Sequence, residues 1–325
     1  MFKVTLILRA IALSFIFHAL RTRGVQLRPT IQELKENDSV LHDFVHGSTK
    51  QNLKSLNSNS IEAITFGHDP TWDKPFFALH ATSYGGPDDN YYGLHTTMGV
   101  YNHKLTPGQW SGAAIWVYHD GDGAKSSFNS IHVGWHIHPE RYGDSHPHFF
   151  TQWTRDGHVA TGCVNMDCPG FVRASGSVIA PGDAIQQVSD VADGHIPNIT
   201  LRVLKDQKSG DWWVYYGFHS VPTGVGYFPR SSFTYLADKA KQMAFGGAVV
   251  SIMEDPTPPM GSGFLPNDGL GRAAAFTDLR IINQDGSSKP ILEDLLKFVT
   301  DEKCHSIAPI NNGAFLYGGP GNCVR

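Results

Sequence analysis

Residues 131–150 read IHVGWHIHPERYGDSHPHFF, and the alternation in their first half decides the fold. In an extended strand, successive side chains point to opposite faces. His132, Gly134, His136 and His138 therefore share one face, while Val133, Trp135 and Ile137 share the other. A strand with one wholly apolar face belongs to a sheet that packs that face on a core. Outward from this segment the same short apolar or alternating runs recur. They are FFALHATSY (76–84), YYGLHTTMGVYN (91–102), GAAIWVYHD (112–120), HFFTQWT (148–154), NITLRVLKD (198–206) and DWWVYYGFHSV (211–221). Turn-forming sequences such as GGPDD, HDGDG, KSGD and QDG separate them.

A chain with 34 glycines and 19 prolines suits many short strands rather than long helices. Two helices are nevertheless expected. Ser231 or Ser232 caps a segment whose Phe233, Leu236, Ala237 and Ala240 lie on one helical face, ending at Gly246-Gly247. A second runs from about Pro290 to Glu302. The fold class that follows is mainly β: an antiparallel β-sandwich with two short helices. In the aromatic run, Trp212, Trp213, Tyr215 and Tyr216 fall alternately on opposite sides of one strand, most as core packing and one or two as candidates to stack on a ligand.

The first residues read as an export signal, with Lys3 followed by an apolar stretch from Ala10 to Leu20. We divide the chain into a signal peptide (1–24), a polar N-terminal segment (25–75) and a β-domain (76–325). Ile31, Leu34, Leu41 and Val45 give the second part an amphipathic pattern, followed by the linker SLNSNS at 55–60. Past the signal, no run approaches the ~18 apolar residues that cross a bilayer, so no membrane partner is expected after its removal. A formal net charge of −4 leaves no basic surface for nucleic acid. With 17 histidines the chain is expected to gain positive charge between pH 7 and pH 5. Cys163 and Cys168 are placed to close a tight loop, and Cys304 and Cys323 to tie the C-terminal tail. Two disulfides are the expectation for an exported chain, with a four-thiolate zinc site as the alternative. Asn37 and Asn198 begin glycosylation sequons.

Glu140 follows the histidine face by two residues. If the strand continues past Pro139, its carboxyl joins that face among titratable neighbours, where its pKa is open to tuning. The alternatives are an ordinary surface glutamate, or a metal site built from the H-x-H-x-E spacing. His136 and His138 are the near-site candidates, either tuning Glu140 or responding to pH.

The stretches GWHIHPERYGD and FFTQWTRDGHVATGCVNMDCPGFV (149–172) resemble the core of the plant neprosin family. The likeness continues through GDWWVYYG (210–217), VGYFPRSSF (225–233), FGGAVV (245–250), PPMGSGFLPNDGLGRAAAF (258–276) and YGGPGNC (317–323). The resemblance implies a secreted antiparallel β-sandwich, placed outside the cell, in the cell wall or in the vacuole. It also implies a glutamic endopeptidase that cleaves after proline at acid pH, with proline-containing peptide or protein as partner. Two facing glutamates share a proton, one activating water and the other donating to the leaving group, and no metal or organic cofactor is required. Glu140 matches the first of these. The second belongs to a WGGEV motif, but here the sequence is Phe245-Gly246-Gly247-Ala248-Val249, so Ala248 stands where that carboxylate belongs. A methyl group neither holds a proton nor orients water, so the resemblance implies a weak or inactive peptidase. The alternative is a non-catalytic binder of proline-rich peptide or cell-wall polymer in the same cleft. Asp144, Glu254 and Asp255 are the acids closest in sequence to the two positions; on a straight strand Glu254 lies about 20 Å beyond Ala248. The N-terminal segment, which lacks the cysteine pair of the family's activation peptide, is readable as a shortened pro-region.

Overall fold

The structure, a computed structural model, describes residues 75–82, 90–185, 196–252 and 255–323. Asn37, Glu254, the residues read as a signal peptide and all of the N-terminal segment except Pro75 lie outside the described residues. The strands are β1 (Phe76–Ala81), β2 (Gly93–Gly99), β3 (Gln109–His119), β4 (Asn129–Ile137), β5 (His148–Thr154), β6 (Cys163–Val164), β7 (Val172–Arg173) and β8 (Asn198–Lys205). Then follow β9 (Trp212–Phe218), β10 (Thr223–Phe228), β11 (Gln242–Ser251), β12 (Ala274–Ile282), β13 (Ser288–Pro290), β14 (Leu296–Val299), β15 (Ser306–Ile307) and β16 (Phe315–Gly318). One sheet has seven strands in the order β14-β1-β11-β3-β4-β5-β6. The other has nine, ordered β15-β16-β12-β2-β8-β9-β10-β7 with β13 beside β12.

The expected alternation of β4 is what joins the layers. Ile131, Val133, Trp135 and Ile137 enter one core with Ile115 and Val117 of β3, Phe245 and Val249 of β11, and Leu201, Val203, Trp212 and Val214 of the nine-stranded sheet. The Trp135 indole donates to the Gly99 carbonyl at 2.9 Å, satisfying the one polar atom it brings inside. The seven-stranded sheet also buries its outer face. Phe77, Leu79, Trp110, Trp116, Tyr118, Phe150 and Ala248 form a second apolar cluster there. Every residue of β1, β4, β5 and β11 is consequently buried.

The β-sandwich is as read from the sequence, but the two helices are not where the patterns placed them. After Phe233 the chain forms turns and then β11. The reason is Asn129: its Oδ1 accepts the N–H groups of Thr234, Tyr235 and Leu236 at 3.0–3.2 Å, which a side chain satisfies in place of a helical ladder. Gly246 and Gly247 do not end a helix. They sit mid-strand, where a Cβ on Gly246 would meet Ala78 O at 2.2 Å and one on Gly247 would meet the Tyr317 ring at 2.5 Å. In the second segment β14 instead pairs with β1, Ala78 opposite Val299, and Phe298 packs on Phe77. Edge pairing and ring packing override the helical spacing. The four cysteines form two disulfides, Cys163–Cys168 and Cys304–Cys323, which removes the four-thiolate zinc alternative.

Candidate functional site

The outer face of the seven-stranded sheet carries one cross-strand row that brings together two of the sequence candidates, Ala248 and His136. Register pairs Phe77 with Ala248, Ala248 with Gly112, Gly112 with His136, and His136 with His148. Two strand spacings separate Ala248 from His136, roughly 10 Å. Gly112 between them has no side chain, and a Cβ there would press on Trp135 O at 2.5 Å and the Trp110 ring at 3.1 Å. That close approach lets the Trp110 indole lean across Gly112 to reach His136 Nδ1 at 2.9 Å.

His136 is 1 % exposed, with its ring stacked on Phe150 at 4.2 Å and its Nε2 2.7 Å from Tyr142 Oη. Burial first, then the nearby His138, Arg141 and His148, holds it well below the usual imidazole value. Its neutral form is thereby favoured. His138 is half-buried and is pushed down to about 4 by burial and by Arg141. Both nitrogens of His136 are engaged, so the H-x-H-x-E metal alternative lacks its first ligand.

The strand does not continue past Pro139. β4 ends at Ile137, and Pro139–Tyr142 forms a single helical turn, α1, closed by Gly143 at φ 76°. Proline at the first helical position and glycine just past the last is the expected asymmetry of helix ends, a signal present in the sequence as PERYG. The turn takes Glu140 off the alternating histidine face. Its carboxyl is exposed and has no hydrogen bond or ion pair among the described residues. Ala248 is 0 % exposed. The structure thus places the two positions assigned by the resemblance on a solvent-facing turn and a buried strand. Asp255 is exposed, and Asp144 is held at 3.1 Å from His148 Nε2. Burial raises the Asp144 carboxyl, but the His146 N–H and His148 outweigh it and keep it below the usual carboxylate range.

The same turn brings in a residue that sequence reasoning passed over. The Tyr142 ring stacks on His148 at 3.7 Å and 5°, and its hydroxyl meets Asn165 Nδ2 at 2.8 Å as well as His136. Burial pushes the phenol up to about 12, against the opposing Asn165 hydrogen bond. Asn165 sits in the Cys163–Cys168 loop at φ 57°, a left-handed conformation that asparagine tolerates. Arg141 pairs with Asp167 of that loop, so α1 and the disulfide loop hold each other at two points. Trp110, Tyr142, His148 and Asn165 come from four separated segments, and no local pattern joins them.

The aromatic run divides as its spacing requires. Trp212 and Tyr216 enter the shared core, while Trp213 and Tyr215 lie on the outer face of the nine-stranded sheet, away from the His136 row. Asn198 opens β8, half-buried, with its carbonyl accepting the His219 N–H. Among the described residues no three His, Cys, Asp or Glu side chains are grouped to hold a metal ion, and no helix is long and apolar enough to cross a membrane.

The fold and the row across it define an antiparallel double-sheet sandwich with a polar network set among buried aromatic side chains on one sheet face. The Neprosin family model matches residues 107–320, about two thirds of the chain, and the chain belongs to the Neprosin family. Two solved structures are similar in outline. Scytalido-glutamic peptidase, crystallised with a peptide-based transition state analog, is 10% identical, with 75% of this chain and 97% of that one covered and a TM-score of 0.36. SCP-B, a member of the Eqolisin family of peptidases in a complex with the tripeptide Ala-Ile-His, is 11% identical, with 75% and 96% covered and a TM-score of 0.35.

Proposed function

We propose that this chain is an exported neprosin-type endopeptidase homologue whose cleft, over the His136 row, receives proline-containing peptides but hydrolyses them weakly or not at all. Family membership supports a function of the peptidase type. The two disulfides suit an oxidising compartment outside the cytosol.

One observation carries the reading of weak hydrolysis. The row Phe77, Ala248, Gly112, His136, His148 contains no carboxylate, and the residue at the second glutamate position is a buried methyl. A shared-proton mechanism needs two carboxyls close enough that both cannot ionise. Glu140 alone, exposed on α1, supplies one at most. Loss of one partner of a catalytic pair costs a factor of ~10³ or more. A binding role without cutting is favoured by the same position, because Ala248 leaves the aromatic and hydrogen-bonding parts of the face intact.

The test incubates the purified protein with a proline-containing peptide from pH 2.5 to 6, alongside Ala248→Glu and Glu140→Gln variants. Negligible cleavage by the natural chain, with some gain in Ala248→Glu, is the expected outcome. Strong cleavage by the natural chain that Glu140→Gln abolishes would overturn it.

A further inference from the structure

The hydrogen bonds that converge on Tyr142 run in one direction. An indole nitrogen only donates, so the Trp110 bond to His136 Nδ1 leaves that nitrogen without a proton. A neutral imidazole then carries its proton on Nε2, which donates to Tyr142 Oη at 2.7 Å. The orientation of Asn165 is fixed in the same way. The Thr151 N–H donates to its Oδ1 at 3.2 Å, so its Nδ2 faces Tyr142 Oη at 2.8 Å and donates too. Two donors occupy both lone pairs of the phenol oxygen. The phenol's own proton has no acceptor in this network, and Tyr142 is not fully buried.

We propose that the Tyr142 hydroxyl is a hydrogen-bond donor to a backbone carbonyl of the bound peptide, aimed by Trp110, His136 and Asn165. This rests on the peptide-binding reading above and specifies its chemistry. Proline has no backbone N–H, so at that residue a peptide offers only its carbonyl as an acceptor. A phenol whose oxygen already accepts two hydrogen bonds, and which still has its own proton to give, matches that demand. The donor is also preorganised, because two neighbours hold the oxygen before any ligand arrives. Trp110, His136 and Asn165 act through Tyr142 and are positioning residues. Without the indole, His136 is free to move its proton to Nδ1. Nε2 then becomes an acceptor and draws the Tyr142 proton inward, away from the ligand.

Fluorescence anisotropy with a labelled proline-containing peptide tests this, beside the same peptide with the proline carbonyl reduced to a methylene. Tyr142→Phe is expected to weaken the intact peptide about tenfold and to leave the reduced one unchanged. Trp110→Phe should cost the same factor, and the double variant no more than either alone. Nitrogen-15 NMR should find His136 protonated on Nε2 in the natural chain and in Tyr142→Phe, with the proton redistributed in Trp110→Phe. Equal binding of intact and reduced peptides by the natural chain overturns the proposal without any variant. So does Tyr142→Phe with unchanged affinity, or His136 protonated on Nδ1. Binding that ignores Tyr142 sinks this inference alone, whereas no binding of the intact peptide sinks the peptide-binding reading with it.

Discussion

The two sheets present opposite kinds of outer face. On the seven-stranded sheet Trp116, Phe150 and His132 are fully buried, and one directed chain of hydrogen bonds, Trp110–His136–Tyr142, runs through the face. On the nine-stranded sheet Trp213, Tyr215, Arg202 and His95 are half-buried. There the contacts are short and partly exposed: Arg202 over the Tyr215 ring at 5.9 Å, Thr97 to Thr200 at 2.8 Å, and Asp278 shared between His95 at 3.0 Å and Arg280 at 2.6 Å. Both faces are rich in aromatic and titratable residues, so composition does not separate them. Access of water does. Away from water a hydrogen bond is strong and a missing partner is costly, which forces a single arrangement; near water each pair is weak and replaceable.

The largest expected effect tests that contrast with one residue type. Trp116→Ala should cost about 3–5 kcal/mol in denaturant unfolding, as for a fully buried large-to-small change. Trp213→Ala should cost only about 1–2 kcal/mol. Equal costs would break the comparison.

Acid comes next. Burial first, then the charge of His158, pushes His132 down to about 3, against the opposing effect of the Gln152 side chain as acceptor. Its folded value lies below the unfolded value of about 6.5, so between the two the unfolded chain binds more protons. Stability is therefore lost as pH falls from about 6.5 towards 3, at up to about 1.4 kcal/mol per pH unit from this group. His132→Phe should flatten the dependence of unfolding free energy on pH over that window. On the other face, burial lowers His95 while Asp278 opposes it, so His95→Ala should change the slope less. The smallest effect sharpens the picture of the wetter face. Arg202→Ala should cost about 0.5–1 kcal/mol, the scale of a half-exposed cation on a ring, and a larger loss would mean that this face is better enclosed than its contacts suggest.

Much of the sandwich was legible, because a two-residue alternation fixes which side chains of β4 face the core. The disulfides were legible from cysteine number and spacing. Alternation in one strand distinguishes two faces but does not say whether either is covered. The histidine face was open to reading as an exposed polar surface, yet His132 and His136 are buried. For the same reason the expected gain of charge between pH 7 and pH 5 fails for His132, His136, His138, His158 and His305, all held far below their usual value chiefly by burial, and burial lowers His80, His95 and His119 as well. The helix after Ser232 misled because its alternative partner, Asn129, is about a hundred residues away in sequence. Glu140 was misplaced by one local choice, extending a strand through Pro139 when Gly143 already marked the end of a turn.

Asn165, which fills one lone pair of the Tyr142 hydroxyl, is carried on the loop that Cys163–Cys168 closes, and Asp167 of that loop grips Arg141. Breaking this bridge removes a constraint shared by both holds on α1, although Asn165 keeps its two hydrogen bonds to the Thr151 backbone. The aim of the phenol is thereby tied to the redox poise of its surroundings. A fully reducing medium reaches further, because it also opens Cys304–Cys323, whose Cys323 sits in the sandwich core.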